Sequence, residues 1–297
     1  MLARAQEDLT IVCATHNGIN RIPLLINSIK KNVVSPKEII ICGTDKLDIS
    51  LVDESVLREN KVSFIVSTVA NQVHQRNLAL FKVDTDYILQ LDDDYILNRC
   101  AIGNYVRHFK GPNSNKKVVS GYVVSPNGDH MSYRTKSLYN SSLFVRAFFY
   151  IVNGFKEVSN MSILKSGRIF PLVLEDLESI EPEWLPSSLM FHKDAIDKKI
   201  LLDVKNNGIK GKAYYEDVFF TVLLRKRGFK LILDKNIILT HPYTSSIKPR
   251  EYIKTISRQK QLVESTKGSY LLFYLDVFLS ISFYSILHIR SKLTTRR

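Results

Sequence analysis

The sequence predicts an α/β fold with a parallel, doubly wound sheet that helices cover on both faces. Short apolar runs rich in β-branched residues recur through the first hundred residues, and segments with helical periodicity separate them. Runs that are apolar on both faces are typical of strands buried in a parallel sheet. Ligands of such sheets bind at the carboxyl ends of the strands, so the residues that follow each run are the first candidates for a site.

Four strands and two helices are predicted in this region. The strands are 9–15, 38–43, 62–68 and 87–94. The first helix follows Asn17-Gly18, and Pro23 suits its first turn. The second helix covers 72–83.

The rest of the chain is less regular before order returns. Residues 109–183 contain turn signals and one hydrophobic stretch, 143–152. Regular structure is predicted again over 183–196 and over 214–233, where a helix ends at Gly228 and a strand follows. No internal repeat is evident.

Composition limits the function classes. The 297 residues include 45% apolar and 24% charged residues, which excludes a disordered chain. Three cysteines give neither a disulfide framework nor paired zinc spacing. The 42 Lys and Arg against 29 Asp and Glu give a net charge of +13, which leaves nucleic acid, an anionic membrane surface or a phosphate-rich substrate as partners.

The strongest local signal is Leu91-Asp92-Asp93-Asp94 at the end of a buried strand. Three adjacent carboxylates repel one another unless a cation or hydrogen-bond donors compensate them. In a strand, Asp92 and Asp94 point to the same side, and an Asp-x-Asp pair of that kind can bind Mg²⁺ or Mn²⁺ together with substrate phosphate. The alternative is a solvated acidic turn or a helix cap.

Two further signals lie in the second half. Glu216-Asp217 precedes an apolar helix, where acids can also act simply as a favourable helix N-terminus. His241 follows the strand 231–240, and a lone histidine is often structural. Taken with the Asp pair, these groups suit displacement of a diphosphate: a metal neutralises the leaving group, and a carboxylate accepts the proton of an attacking hydroxyl.

The chain resembles the family 2 glycosyltransferases, which are inverting enzymes with the GT-A fold. Six segments carry the resemblance, in the family's order: LTIVCATHNGINRIPLLINSI, EIIICGTD, NQVHQRNLAL, LQLDDD, EWLPSSLMFHKDAI and YYEDVFFTVLLRKRGFKL followed by ILTHP. The resemblance implies a GT-A nucleotide-binding sheet that continues into an acceptor-binding half, with a hydrophobic C-terminal helix. It implies 1–108 as the half that binds the nucleotide-sugar, 109–250 as the half that binds the acceptor and holds the catalytic base, and 251–297 as a basic helical segment.

The resemblance also implies site residues. The nucleotide-sugar would contact Thr15, Asn17, Asp45, Arg76, Asp92 and Asp93. Mn²⁺ or Mg²⁺ would be held by Asp94 with Asp92 and His241. Asp217 would be the catalytic base with Glu216 supporting it, and Trp184, Ser187 and Ser188 would line the acceptor site, although Trp184 fits a core role equally well.

Departures from the family pattern refine this expectation. Gly43-Thr44-Asp45 stands where the family has Asp-Asp-Gly-Ser, so Asp45 is the candidate contact for a uracil base. Ser187-Ser188 replaces a Gly-Gly pair, which narrows the approach of the backbone to the sugar. Residues 257–263 lack the Gln-x-x-Arg-Trp motif of processive synthases, which favours addition of a single sugar. The expected reaction is transfer from a nucleotide-sugar, UDP-linked by resemblance, to a glycan or lipid-linked acceptor in surface polysaccharide synthesis.

The C-terminal stretch 269–289 bears on location. Its 21 residues reach the length of a membrane span, but Asp276 lies near the centre and shares a narrow helical face with Ser269 and Ser280. A helix lying on an anionic membrane, a true span, and a helix packed in the core or in a dimer all remain open. No signal peptide is evident at the N-terminus, so we expect a cytosolic protein that is peripheral on a membrane.

Two other functions fit part of the sequence. A sugar nucleotidyltransferase shares the sheet and the paired acids, but the segment THNGINRIP lacks its Gly-rich basic loop. A basic nucleic-acid-binding protein fits the charge, but no nucleic-acid-binding motif is evident.

Overall fold

The structure is a computed structural model that describes residues 5–15, 18, 21–44, 58, 61–111, 114–129, 133–172, 181–197, 215–242 and 249–294. The chain forms two compact units. The first comprises Met1–Met131 and Trp184–Thr244, and the second comprises Ser132–Glu183 and Ser245–Arg297. The predicted divisions after residues 108 and 250 separate functions rather than compact bodies, and they stay predictions.

The elements alternate as the sequence predicts. The described strands are β1 Ala5–Gln6, β2 Leu9–Ala14, β3 Val34–Ser35, β4 Glu38–Gly43, β5 Val62–Val66, β6 Tyr87–Asp92, β7 Ile96–Leu97, β8 Lys117–Val124, β9 Ser162–Ile163, β10 Ile169–Phe170, β11 Leu189–His192 and β12 Lys230–Thr240. The described helices are α1 Ile22–Lys30, α2 Gln72–Leu80, α3 Ala101–Arg107, α4 Tyr133–Ser141, α5 Leu143–Val152, α6 Glu216–Lys226, α7 Pro249–Thr266 and α8 Tyr270–Thr294.

The first unit is built on an eight-stranded sheet in the order β5-β4-β2-β6-β11-β8-β12-β7. The pairs β5–β4, β4–β2 and β2–β6 are parallel, so the predicted α/β fold with its parallel sheet is confirmed for this half. The other half is mixed, because β11 runs antiparallel to both of its neighbours and β12 runs antiparallel to β7. The sequence did not reveal this, since an apolar run does not encode the direction of its strand.

Helices cover both faces of the sheet. Leu9, Ile11 and Cys13 of β2 point into the main hydrophobic cluster, where they pack with the buried sides of α1 and α3. Side chains alternate along a strand, so Val12 points to the opposite face. Helix α2 packs there against β2 and β4. Both faces of the central strands are therefore buried, which explains their continuous apolar sequence.

The parallel register fixes the place of the site. Ala14 at the end of β2 pairs with Asp92 at the end of β6 and with Cys42 near the end of β4. The residues that follow these strands therefore emerge at one edge of the sheet. Thr15 and Asp93 occupy equivalent positions there, one residue beyond the paired ends.

The second unit has its own small core. Phe149 and Val152 of α5 pack with Val158, Leu164 and Phe170. Helix α8 contacts both α5 and α7, so the predicted hydrophobic C-terminal helix is a packed element of this unit. In the described part of the chain, no helix combines the length and the hydropathy that crossing a bilayer requires.

Candidate functional site

The acidic cluster does not continue its strand as we expected. Strand β6 ends at Asp92, and Asp93 and Asp94 lie in the turn that follows. The alternation of a strand therefore does not apply, and the prediction that Asp92 and Asp94 share one side through strand geometry was wrong. Each of the three carboxylates contacts a cationic or hydrogen-bonding partner, and Asp93 and Asp94 share Arg21, which offsets their mutual repulsion.

Asp92 lies at the centre of a polar network. Its Oδ1 accepts hydrogen bonds from Arg76 and from Gln72 Nε2, the latter at 3.3 Å. Its Oδ2 accepts a hydrogen bond from Ser187 Oγ at 2.7 Å, and the Tyr95 hydroxyl lies 2.9 Å from that Oγ. Both oxygens of Asp92 thus have protein donors.

Arg76 joins the two halves of the predicted site. It lies on α2, its side chain is only 2% exposed, and its guanidinium contacts the carboxylates of Asp92 and Glu216. Burial alone would lower the pKa of Arg76, but the two carboxylates outweigh it and raise that pKa above its ordinary value. The arginine therefore stays charged and compensates two acids from distant parts of the sequence.

Glu216 and Asp217 begin α6. The preceding Tyr215 has a left-handed backbone with φ of 63°, which turns the chain sharply into the helix. Glu216 is buried against Arg76, and Asp217 beside it is half-buried. Burial, and then the charge of Glu216, raise the pKa of Asp217 to about 7. A carboxyl with that pKa can accept and release a proton near neutral pH.

Asp93 is held at the end of β2. Its Oδ2 accepts a hydrogen bond from Thr15 Oγ1 at 2.6 Å and lies 3.2 Å from Arg21 Nη2. Burial raises the pKa of Asp93 to about 6, although Thr15 and Arg21 act in the opposite direction. Gln75 of α2 donates to the Thr15 carbonyl at 2.8 Å and so ties this edge to the Arg76 helix.

Gly18 allows this close approach. A Cβ atom added at Gly18 would lie 1.9 Å from Asp93 Oδ2 and 2.4 Å from Thr15 Oγ1. Real Cβ atoms do not come so close to other atoms. A larger residue at position 18 would therefore displace the Asp93 carboxylate or the Thr15 hydroxyl. Asn17 itself lies outside the described residues, as does Asp45.

Asp94 and His241 form the third set. His241 Nε2 lies 3.2 Å from Asp94 Oδ2, and Arg21 Nη1 lies 3.7 Å from the same oxygen. The imidazole also makes an edge contact with Tyr95, with the ring centroids 5.9 Å apart. His241 directly follows β12, so a strand of the mixed half of the sheet places it beside the turn that holds Asp93 and Asp94.

Among the described residues, few side chains are placed to bind a metal ion. Within the described ranges, no group of three or more His, Cys, Asp or Glu side chains is placed to hold a metal ion. Asp94 and His241 are together, whereas the oxygens of Asp92 accept hydrogen bonds from protein donors. A carboxylate and an imidazole fit a cation that takes its remaining ligands from phosphates and water.

The predicted acceptor residues have different surroundings. Ser187 contacts Asp92, as described above, so it belongs to the polar network. Ser188 is fully buried, its Oγ lies 3.2 Å from Ser120 Oγ, and its carbonyl accepts from the Tyr105 hydroxyl at 3.0 Å. Trp184 is 7% exposed, which fits the core role that the sequence left open.

Sequence reasoning missed three members of the site: Arg21, Gln72 and Tyr95. Arg21 pairs with two of the acids. It lies between β2 and α1, close to the carboxyl end of a strand, and this position could have marked it as a site residue. Gln72 lies at the start of α2, four residues before Arg76, and therefore on the same helical face. Tyr95 directly follows the acids and contacts Ser187 and His241.

Comparisons with known proteins bear on the fold. No family model matches the chain, and no curated protein matches it by sequence. The structure is similar to the mannosyltransferase PcManGT from Pyrobaculum calidifontis in complex with GDP-Man and Mn²⁺, with a TM-score of 0.53, 13% identity, and coverage of 94% of this chain and 70% of that one. It is also similar to residues 1–349 of S. aureus TarS, with a TM-score of 0.50, 14% identity, and coverage of 86% and 69%. The chain therefore has a glycosyltransferase fold.

Proposed function

We propose that this protein is an inverting, metal-dependent glycosyltransferase of the family 2 type. It moves one sugar from a nucleotide-sugar, UDP-linked by resemblance, to a hydroxyl of a glycan or lipid-linked acceptor in surface polysaccharide synthesis. The observation that carries the proposal is the path from Asp217 to Asp92: Asp217 adjoins Glu216, and Arg76 joins Glu216 to Asp92. Asp217, whose carboxyl is suited to proton transfer, is thereby connected to the C-terminal ends of the parallel strands. Ligands of such sheets bind at that edge.

The proposed reaction transfers one proton, forms one bond and breaks one bond. The Asp217 carboxylate accepts the proton of the acceptor hydroxyl, whose oxygen forms a bond to the anomeric carbon of the donor sugar. The bond from that carbon to the diphosphate breaks, and the nucleoside diphosphate leaves with the electron pair. Attack opposite to the leaving group inverts the anomeric configuration.

The polar network holds the two ends of this reaction in place. Glu216 is buried beside Arg76. Its negative charge raises the pKa of the neighbouring Asp217 and so makes Asp217 a stronger base. Asp92 is oriented by Arg76 and Ser187 and is proposed to contact the ribose. Thr15, Asp93 and Arg76, with Asn17 and Asp45 outside the described residues, complete the proposed nucleotide-sugar contacts.

We propose Mn²⁺ or Mg²⁺ as the cofactor, with Asp94 and His241 as its protein ligands. When bound, the metal would neutralise negative charge on the departing diphosphate. The mannosyltransferase with a similar fold was solved with Mn²⁺ and GDP-Man, which supports a metal and a nucleotide-sugar here. Asp92, included among the ligands on sequence grounds, is the weaker candidate because protein donors already contact both of its oxygens.

The acceptor side is proposed to include Ser187 and Trp184. Ser187 bonds Asp92 at 2.7 Å and so lies at the boundary between the donor network and the 184–188 segment. Ser188 is buried among core residues, so it shapes the segment rather than contacting an acceptor. We further propose that the protein works in the cytosol, peripheral on a membrane, where lipid-linked acceptors are found.

One assay tests the proposal. The protein would be incubated with nucleotide-sugars, Mn²⁺ and a mixture of glycan and lipid-linked acceptors, and the released nucleotide would be identified. Release of a nucleoside diphosphate together with a product of inverted anomeric configuration supports it. Release of pyrophosphate would instead indicate a sugar nucleotidyltransferase, and retention of configuration would contradict the inverting mechanism.

A further inference from the structure

Helix α8 of the second unit exposes an apolar stripe. The stripe consists of Tyr270, Leu271, Tyr274 and Phe278, which are 43%, 79%, 61% and 67% exposed. At 3.6 residues per turn these four positions fall within about 100° of the helix circumference. Large apolar side chains thus form one continuous outward face rather than scattered exposed residues.

The opposite side of α8 is polar and buried. Asp276 is fully buried and accepts hydrogen bonds from Arg168 Nε at 2.9 Å, Ser166 Oγ at 2.8 Å and Gln259 Nε2 at 2.9 Å. Ser280, one turn later, donates to the same carboxylate at 3.2 Å. The helix is therefore inverted relative to an ordinary surface helix, because its charged residue faces inward and an apolar stripe faces outward.

This inversion holds the stripe in the exposed position. Rotation of α8 to bury Leu271 and Phe278 would remove Asp276 from its buried donors. Breaking a buried ion pair leaves an uncompensated charge and is strongly unfavourable. The stripe therefore cannot be withdrawn by a small rotation, and the fold itself keeps it available to a partner.

The net charge of the segment that carries the stripe indicates the kind of partner. Residues 245–297 contain ten Lys and Arg against three Asp and Glu, which is +7 of the chain's +13. One of the three acids is Asp276, which is buried and paired with Arg168. Lys260 and Lys267 are exposed in this segment, and Arg290, Lys292, Arg296 and Arg297 follow the apolar part of the helix in sequence.

We propose that the stripe on α8 is the surface that docks on an anionic lipid bilayer. Tyrosine and phenylalanine side chains suit the boundary between headgroups and acyl chains, and the cations of the same segment are attracted to anionic lipid. A second copy of this chain is disfavoured because it would bring two segments of charge +7 together. The inference rests on the proposed membrane location of the enzyme and adds the residues that make the contact.

Vesicle flotation of the full chain tests the surface. The probes are phosphatidylcholine vesicles with and without phosphatidylglycerol, at low and high salt. The variant Phe278→Glu is compared with Phe81→Glu, a control in the first unit whose phenylalanine is 61% exposed. We expect wild type and Phe81→Glu to float only with anionic vesicles and at low salt, and Phe278→Glu to partition at least about tenfold less.

A second variant reports on insertion and on folding. Trp184 is the chain's single tryptophan and is 7% exposed, so wild type gives the emission of one buried tryptophan, which should not change when vesicles are added and can be subtracted. Phe278→Trp should retain vesicle binding and shift its emission to the blue when anionic vesicles are added. Melting temperatures of all variants close to wild type show that each one is folded.

Three outcomes would overturn the inference. The first is failure of wild type to float with anionic vesicles, and the second is flotation of Phe278→Glu equal to that of wild type. The third is a dimer, seen by light scattering, that Phe278→Glu separates, which would make the stripe a contact between copies. Donor turnover, measured in parallel without vesicles, keeps the two proposals distinguishable: vesicle binding without sugar transfer contradicts the proposed function and leaves the membrane surface intact.

Discussion

Arg76 contacts Glu216 across 140 residues of sequence, and the same guanidinium contacts Asp92. One buried cation therefore links the end of strand β6 to the start of helix α6. The proposed donor site and the proposed catalytic base meet through this arginine. Replacing Arg76 should therefore lower both the stability of the fold and the rate of the proposed reaction.

Replacing Arg76 by methionine should lower the free energy of unfolding by about 3–5 kcal/mol. The substitution leaves two carboxylates near the interior without their cation, and such uncompensated charges are costly. Urea unfolding at neutral pH measures the change. Lys82→Met removes an exposed cation shortly after the same helix and should change stability by only about 0.5 kcal/mol. Equal effects of the two variants would contradict the assigned role of Arg76.

Asp217→Asn should reduce kcat about 10²–10⁴-fold, because the amide cannot accept the proton of the acceptor hydroxyl. The fold should persist, since the ionised carboxyl is disfavoured at its position, as its raised pKa shows. Steady-state kinetics with saturating donor and acceptor, together with a thermal melt, measure both effects. Asp129→Asn, at an exposed position, is the control. Full transfer activity in Asp217→Asn would remove it from the catalytic role.

The pH dependence follows from the same group. Because the pKa of Asp217 is raised to about 7, kcat/KM should increase with pH and level off above that value, where the base is ionised. Stability should change in the opposite sense: this carboxyl favours the fold below its ordinary pKa, and that contribution is lost as the pH rises through about 7. Asp217→Asn should make the stability profile less steep in this range, and Asp93, whose pKa is raised to about 6, contributes to the slope that remains. A rate that falls as the pH rises from 6 to 8 would contradict the assignment.

Removal of divalent metal should abolish donor turnover, and added Mn²⁺ should restore it. We expect a nucleoside diphosphate to raise the melting temperature only when metal is present. Asp94 and His241 supply only two ligands to the proposed metal, which would take others from the diphosphate and so link the nucleotide to the protein. His241→Gln should require a higher Mn²⁺ concentration for half-maximal activity while leaving the metal-free melting temperature close to wild type. Undiminished turnover after treatment with a chelator would contradict metal dependence.

Gly18→Ala should weaken the donor edge, because the new Cβ would collide with Asp93 and Thr15. We expect a lower melting temperature and a weaker affinity for the nucleoside diphosphate by calorimetry. Gly103→Ala is a matched control: that glycine lies in helix α3, and an added Cβ would meet Val34 at an ordinary 3.4 Å. The control should be neutral or stabilise by about 0.5–1 kcal/mol. A Gly18→Ala protein that melts and binds as wild type does would show that the turn can adjust.

The sequence predicted the central strands and their helices because local patterns encode them. The runs at 9–15 and 38–43 are apolar on both faces, and β2 and β4 lie in those runs as a buried parallel pair. The acids at 92–94 were recognisable for the same reason, since they directly follow such a run. The direction of β11 and the end of β6 at Asp92 were not recognisable, because strand pairing is decided by contacts far apart in sequence.

The sequence by itself determined that the chain is basic, that its first half alternates strands with helices, and that three acids follow a buried strand. Only the tertiary structure decided which partner each acid receives: Asp92 contacts Arg76, Asp93 contacts Thr15 and Asp94 contacts His241. The same holds for Asp276, whose polar helical face was readable but whose burial against Arg168 was not. A charge pattern shows which groups need compensation, whereas the three-dimensional packing of distant segments determines where that compensation is found.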